Sequence, residues 1–127
     1  MKLRIRGDSI RLRLTKSDVA TLLEKGAVSE SMHMSPDVAF EYRLTSDRAV
    51  ADARVSLTGR VLEVQLPRAQ VNAWAKSKEV GIETRQKNGS DSGLLVLVEK
   101  DFPCLTARPN EDDSDAFNRP STIPSAP

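Results

Sequence analysis

The fold of this chain is decided by residues 2–14, which read Lys2-Leu3-Arg4-Ile5-Arg6-Gly7-Asp8-Ser9-Ile10-Arg11-Leu12-Arg13-Leu14. Apolar and basic residues alternate on both sides of the Gly7-Asp8 pair, which is the pattern of two strands that each bury one face. A two-residue loop with glycine first suits a type II′ β-hairpin. The stretch therefore predicts a hairpin whose cations share one face, with Arg4 opposite Arg11 and Lys2 opposite Arg13.

The same pattern returns in the second half of the chain, where Gly59-Arg60 takes the place of Gly7-Asp8. Nine apolar residues between 3 and 28 align with apolar residues between 55 and 80, where an apolar content of 39% would give about four matches by chance. The pairs of the alignment are Leu3-Val55, Ile5-Leu57, Ile10-Leu62, Leu12-Val64, Leu14-Leu66, Val19-Val71, Leu22-Trp74, Leu23-Ala75 and Val28-Val80. We interpret the repeat as an ancient duplication.

Each hairpin is followed by a short predicted helix. Thr15 or Ser17 can cap the first helix, and Gly26 suits its C-terminal end. Pro67 is expected at the first helical position of the second helix, because its missing N–H has no partner there. Tyr42 and Trp74 fall on apolar positions, so both are predicted core residues. Two more strands follow each helix, near residues 28–34 and 38–45 and near residues 80–86 and 94–100.

The predicted fold is a single duplicated α+β domain over residues 1–102, with ββαββ repeat units at 2–47 and 54–101. About eight antiparallel strands form a closed or strongly bent sheet, accompanied by two short helices. The remaining residues, 103–127, hold five of the seven prolines and the acidic run from Glu111 to Asp115. This composition predicts an extended or disordered tail.

Composition excludes several classes of function. The chain has 127 residues, enough for one domain, and its 19 basic against 18 acidic residues give a net charge of +1, which argues against nucleic acid as a partner. No apolar stretch is long enough to cross a membrane. Cys104 is the only cysteine and permits no internal disulfide, so we expect a cytoplasmic protein. With His33 as the only histidine, a catalytic triad or a two-histidine metal motif lacks parts, and Cys104 and His33 are both expected to be structural.

The end of the chain resembles a known ending. The segment Leu97-Val98-Glu99-Lys100-Asp101-Phe102-Pro103-Cys104-Leu105, followed by Glu111-Asp112-Asp113-Ser114-Asp115-Ala116-Phe117, is similar to the ending of a small uncharacterised bacterial protein family. That resemblance implies a bacterial protein and no particular activity.

The cyclic order of the repeat units resembles two duplicated folds, the DNA sliding clamps and the triphosphate-tunnel (CYTH) barrels. The clamp resemblance implies a ring that would need several copies of this chain. The tunnel resemblance implies phosphate and Mg²⁺ held by a Glu-x-Glu-x-Lys motif on the first strand. Here that strand reads Lys2-Leu3-Arg4-Ile5-Arg6 and carries no carboxylate.

The most informative candidate site is the basic face of the first hairpin, formed by Lys2, Arg4, Arg6, Arg11 and Arg13. Like charges that face each other across strands are destabilising, so something negative should lie over this face. Three counterparts are open: a phosphate-bearing ligand, an acidic protein partner, or carboxylates of neighbouring strands. If the sheet closes into a barrel, those carboxylates would be Glu41, Glu63, Glu83 and Glu99.

These observations favour a small cytosolic binding or interaction module without catalytic residues or a cofactor. The alternatives are a CYTH-like phosphohydrolase or phosphate-binding protein and a clamp-like oligomer. Under the tunnel alternative, Glu63, Glu99 and Asp101 are the candidate Mg²⁺ ligands. Carboxylates spaced by two residues also occur on any polar strand face. The competing interpretation is therefore that these carboxylates are solvated or ion-paired and bind no metal.

Overall fold

The computed structural model describes residues 1–102, and both halves of this region follow the predicted order of elements. The predicted tail at 103–127, with Cys104, lies outside the described residues. The first half comprises β1 (Lys2–Ile5), β2 (Ser9–Leu14), α1 (Lys16–Lys25), β3 (Ala27–Ser35) and β4 (Val38–Asp47). The second half comprises β5 (Arg54–Thr58), β6 (Val61–Pro67), α2 (Arg68–Lys76), β7 (Gly81–Gln86) and β8 (Leu94–Lys100).

The two predicted hairpins are confirmed. Arg6 and Ser9 exchange both backbone hydrogen bonds, at 3.0 and 3.1 Å, around the Gly7-Asp8 loop. Gly7 has φ +52° and Gly59 has φ +60°, a left-handed conformation that glycine adopts without steric cost. A primed two-residue turn requires such a positive φ at its first position, which is why glycine stands there in both hairpins.

The strands form two four-stranded sheets. In sheet A the order is β1-β2-β8-β7, and in sheet B it is β3-β4-β6-β5. The prediction of an entirely antiparallel sheet was wrong, because β2 pairs with β8 in parallel and β4 pairs with β6 in parallel. Hairpins fix antiparallel pairing only between neighbours in the chain, whereas these two pairings join strands from different halves.

The predicted closed barrel is not supported, since neither sheet closes within residues 1–102. Side chains, and not a ladder of backbone hydrogen bonds, join the edges of the two sheets. Gln86 on β7 accepts a hydrogen bond from the backbone N–H of Val55 on β5, at 2.6 Å, and donates to its carbonyl oxygen at 3.0 Å. On the other side of the domain, the hydroxyl of Tyr42, on β4 next to the edge strand β3, donates to the carbonyl oxygen of Met1, which precedes β1, at 3.2 Å.

The interior is a single apolar core. It is built from the inward faces of both sheets and from one face of each helix, and its largest fully buried side chains are Trp74, Leu12, Leu14, Leu22, Leu44, Leu66, Val64, Val71, Val96 and Val98. The indole N–H of Trp74 donates to the carbonyl oxygen of Val80 at 3.2 Å, so the one polar atom of this side chain is satisfied. Trp74 is a core residue as predicted, and Tyr42 packs half-buried against the core.

The helix ends follow local chemistry with one correction. Thr15 caps α1 in a reciprocal capping box with Asp18, and Gly26 ends the helix at φ +81°. Pro67 was expected as the first helical residue, but it is the last residue of β6 and the N-cap of α2, with φ −59° and ψ 134°. The proline ring fixes φ at a value that strand and helix share, so it could not locate the boundary to the residue.

The two halves make equivalent contacts across the sheets. In sheet A the backbone N–H of Leu95 donates to the carbonyl oxygen of Asp8 in the first turn, at 2.9 Å. In sheet B the backbone N–H of Glu41 donates to the carbonyl oxygen of Arg60 in the second turn, also at 2.9 Å. Each hairpin turn therefore anchors the parallel strand beside it. No helix among residues 1–102 has the length and apolarity needed to cross a bilayer.

Candidate anion-binding face

The cations of the first hairpin lie on the outer face of sheet A. In β2 the buried residues Ile10, Leu12 and Leu14 point into the core, so the alternating Arg11 and Arg13 point outward. The register pairs Arg4 with Arg11 and Lys2 with Arg13, which confirms the predicted pairing. We call the outward side chains Lys2, Arg4, Arg6, Arg11 and Arg13 the basic face.

Strand β8 supplies the counter-charges for part of this face. Glu99 Oε1 lies 3.5 Å from the Nε atoms of both Arg11 and Arg13. Asp101 Oδ2 lies 3.2 Å from Nζ of Lys2. Because 69% of the Lys2 side chain is exposed, solvent weakens its pair strongly, and the half-exposed pairs of Glu99 are also screened.

Of the four carboxylates expected to neutralise the face, Glu99 alone is ion-paired to it within residues 1–102. Glu83 lies on the same outer face of sheet A, in β7, where it is directly opposite Leu97. Glu41 and Glu63 lie in sheet B, which is separate from sheet A and does not bring them to the basic face. Asp101, which was expected as a metal candidate, provides the second counter-charge.

Neutralisation of the basic face is incomplete. Arg4 and Arg6 are exposed, and no carboxylate of residues 1–102 lies within 4.0 Å of either guanidinium group. Two carboxylates thus face five cations. A planar guanidinium group without a partner is a ready donor of paired hydrogen bonds to phosphate or carboxylate oxygens.

The two cations that are unpaired within residues 1–102 line a groove together with Arg11. A cavity of about 190 Å³ lies between Arg4, Arg6 and Arg11 on one side and Leu95 and Leu97 of β8 on the other, and we call it the basic groove. A second cavity, of about 130 Å³, continues along Lys2, Arg4, Arg11 and Arg13. Both cavities open on the outer face of sheet A.

The leucine wall of the groove was missed by the sequence reasoning. Leu95 and Leu97 are half-buried on the outer face, while Val96 and Val98 of the same strand are buried in the core. A signal was present, because an unbroken apolar run predicts a strand with both faces covered. The local sequence did not indicate that β2 would be the strand beside β8.

The equivalent surface of sheet B carries both acidic and basic side chains. At the positions that match Arg4 and Arg11, β5 and β6 carry Ser56 and Glu63, which lie opposite each other. Glu63 accepts a hydrogen bond from the hydroxyl of Thr45 at 2.7 Å. At the positions that match the two leucines, β4 carries Glu41 and Arg43.

Arg43 donates to Glu41 from Nη2 at 2.6 Å and from Nε at 3.0 Å. The hydrogen bonds to Glu41 and its charge raise the pKa of Arg43 above its ordinary value. This fold therefore forms its second sheet with both signs of charge on the outer face, and nothing in the architecture requires an excess of arginine on the first.

The candidate metal ligands do not come together. Glu99 and Asp101 lie at the outer face of sheet A, whereas Glu63 lies on the outer face of sheet B. These two faces point in opposite directions and are separated by the apolar core. Within the described region no three His, Cys, Asp or Glu side chains form a group that could hold a metal ion. His33 lies exposed on β3.

A comparison with protein-family models matches residues 1–121 to a family of unknown function (DUF7009). No curated protein and no solved structure matches the chain. The comparisons thus give no support to the clamp and tunnel resemblances, and they assign no activity.

Proposed function

From the premise that this chain belongs to DUF7009, a family of unknown function, we propose that it is a small binding module whose basic face takes up an anionic partner. The observation that carries the proposal is the outward pair Arg4 and Arg11, which face each other in register while Arg4 has no carboxylate partner within residues 1–102. Like charges directly opposite are destabilising, so an oxoanion between them would relieve their repulsion.

Comparison of the two sheets supports this proposal. The same fold builds sheet B with Ser56 opposite Glu63 and with Arg43 bonded to Glu41. A basic surface that served only stability would be expected in both sheets. Its presence in sheet A alone favours a role in recognition.

The chemistry of the groove favours binding over catalysis. Guanidinium groups remain charged at all physiological pH values, so they hold an oxoanion but do not transfer protons. The hydroxyl of Ser9 in the groove donates to the carbonyl oxygen of Arg6 at 2.7 Å, and the described residues that line the groove include no base to activate it. A CYTH-like phosphohydrolase would need a charged tunnel, whereas the space between these two sheets is filled by Leu12, Val64 and Val98.

The cytoplasmic location belongs to the same proposal and rests on the lone cysteine. A clamp-like assembly would require several copies around DNA. The net charge of +1 does not favour nucleic acid, and neither does the absence of aromatic side chains from the described residues that line the basic groove.

Titration with two probes tests the proposal, namely inorganic tripolyphosphate and a hexaglutamate peptide. We expect one or both to bind the full chain, and we expect the Arg4→Ala/Arg11→Ala variant to bind at least about tenfold more weakly, as for lost charge-assisted hydrogen bonds. The matched control is Arg54→Ala/Arg60→Ala on the second hairpin, which removes the same net charge from exposed positions. Equal losses in the two variants, or no binding of either probe to any variant, would overturn the proposal.

A further inference from the structure

The walls of the basic groove specify the chemistry of its occupant. Arg4, Arg6 and Arg11 offer positive charge on one side, and the half-buried Leu95 and Leu97 offer apolar surface on the other. A small inorganic anion would satisfy the guanidinium groups but leave the leucines in contact with water. An acidic peptide segment that also carries an apolar side chain would cover both walls.

This chain contains such a segment. Residues 111–117 read Glu111-Asp112-Asp113-Ser114-Asp115-Ala116-Phe117, so four carboxylates are followed by an apolar pair that ends in an aromatic ring. The family match extends to residue 121 and includes this segment. The charges complement those of the basic face, where two carboxylates pair with three of the five cations and Arg4 and Arg6 have no carboxylate partner among residues 1–102.

The connection is long enough for the segment to return to the groove. Strand β8 runs parallel to β2, and the backbone N–H of Asp101 donates to the carbonyl oxygen of Leu14 at the far end of that pairing, at 2.8 Å. Leu97 lies four residues before Asp101, which corresponds to about 13 Å along the strand. Residues 102–110 can span up to about 30 Å, so geometry permits closure onto the same chain.

We infer that the occupant of the basic groove is residues 111–117 of the same chain, which compete there with external anions. This inference rests on the proposed function, since it assumes that the groove binds oxoanions. A tethered segment acts at an effective concentration in the millimolar range, so an external partner must displace it to bind. The tail is then an internal competitor that sets the apparent affinity of the module.

Neutralisation of the tail in the full chain tests the inference. The variant Glu111→Gln/Asp112→Asn/Asp113→Asn/Asp115→Asn is compared with Glu24→Gln/Asp37→Asn/Asp52→Asn/Glu79→Gln, which removes four exposed carboxylates elsewhere. Both variants change the net charge equally. We expect the tail variant to bind tripolyphosphate at least about tenfold more tightly than the control variant does, a factor within the range of tethered competition. Equal affinities would overturn the inference.

A second measurement separates this inference from the proposed function. A synthetic peptide of residues 108–119 is titrated into the tail variant while the backbone amide resonances are followed. We expect shifts concentrated at residues 4, 6, 9, 11, 95 and 97 and no shifts in an Arg4→Ala/Arg11→Ala background. If tripolyphosphate bound but the peptide caused no shifts of the amide resonances, the inference would be contradicted and the proposed function would stand. If wild type were a dimer by light scattering and the tail variant a monomer, the tail would occupy a second copy, which would overturn docking within one chain.

Discussion

Arg4 on β1 and Arg11 on β2 lie directly opposite each other on the outer face of sheet A, across an antiparallel ladder whose inward residues are apolar. Opposed cations of this kind weaken a hairpin unless an anion lies between them. Glu99 approaches Arg11 from the neighbouring strand, but it is shared with Arg13 and leaves Arg4 without a partner among residues 1–102. We therefore expect the repulsion within this pair to lower stability unless an anion, as in the proposed function, lies over it.

In the tail variant, whose residues 111–117 no longer bring carboxylates to the groove, replacing Arg4 by glutamate should stabilise the fold and weaken anion binding. In the Arg4→Glu variant the introduced carboxylate would face Arg11 as an opposite charge, and such cross-strand pairs contribute a few tenths of a kcal/mol. We expect the free energy of unfolding to rise by about that amount in urea titrations at low salt, and the gain to vanish in about 1 M NaCl because the pair is exposed.

The matched control for Arg4→Glu lies in the second hairpin. Ser56→Glu would place a like charge opposite Glu63 and should lower the free energy of unfolding by a similar amount. If Arg4→Glu lowered the free energy of unfolding as much as Ser56→Glu, repulsion between Arg4 and Arg11 would not be what destabilises the first hairpin.

Removing the charge of Glu99 should increase the affinity for anions. Glu99→Gln frees Arg11 and Arg13 from their shared carboxylate oxygen, so both guanidinium groups become available to the ligand. We expect tighter tripolyphosphate binding by titration calorimetry, together with a loss of stability of no more than about 1 kcal/mol, because the pairs are partly solvated. Glu83→Gln is the control on the same face, opposite Leu97. A larger gain for Glu83→Gln than for Glu99→Gln would contradict the assignment of Glu99 as the competing counter-ion.

Gln86 should be important for the junction between the two sheets. Its side chain satisfies both the backbone N–H and the carbonyl oxygen of Val55, so Gln86→Ala leaves two polar groups without protein partners. We expect a loss of about 1–3 kcal/mol in the free energy of unfolding and faster hydrogen exchange at the Val55 amide. Gln70→Ala on the exposed surface of α2 should change neither quantity. An unchanged exchange rate at Val55 in Gln86→Ala would show that the contact does not close this edge.

The carboxyl group of Asp18 should make stability depend on pH in the acid range. Its burial favours the neutral form, but hydrogen bonds from the amino group of Met1 and from Thr15 together hold the pKa of Asp18 below its ordinary value. A depressed folded-state pKa contributes stability that is present above the ordinary value of 3.8 and is lost as the pH falls through the folded value. We expect the stability difference between wild type and Asp18→Asn to be larger at pH 6 than at pH 2.5 in urea unfolding.

The comparison for Asp18 is the exposed Asp52, whose replacement by asparagine should give the same small difference at both pH values. A difference for Asp18→Asn that did not shrink in acid would show that its cap acts through hydrogen bonding alone, without a charge contribution.

Local features of the chain were predictable because each depends on a few adjacent residues. The alternation around Gly7 and Gly59 indicated both hairpins, and the capping residues Thr15 and Gly26 indicated the limits of α1. Pro67 shows the limit of such local predictions. Its φ suits both β6 and α2, so the residue alone does not fix the boundary between them. The register of Arg4 with Arg11 followed from the length of the turn alone.

The arrangement of the hairpins could not be predicted in the same way. The apolar run in β8 indicates a strand but not that this strand lies parallel to β2, so the direction of that pairing was missed. The barrel was expected because eight strands in a cyclic order can close, but the gap between β5 and β7 is bridged by Gln86 and not by a ladder.

The sequence by itself determined the basic face of the first hairpin and the matching second hairpin, which lacks opposed arginines. Strand alternation and turn geometry act over two to ten residues, so both hairpins follow from local sequence. Only the tertiary structure decided that Glu99 reaches Arg11 and Arg13, and that Leu95 and Leu97 form the opposite wall of the groove. Those contacts join residues more than eighty positions apart. Their formation depends on how the apolar faces of the whole domain pack together, which no local pattern encodes.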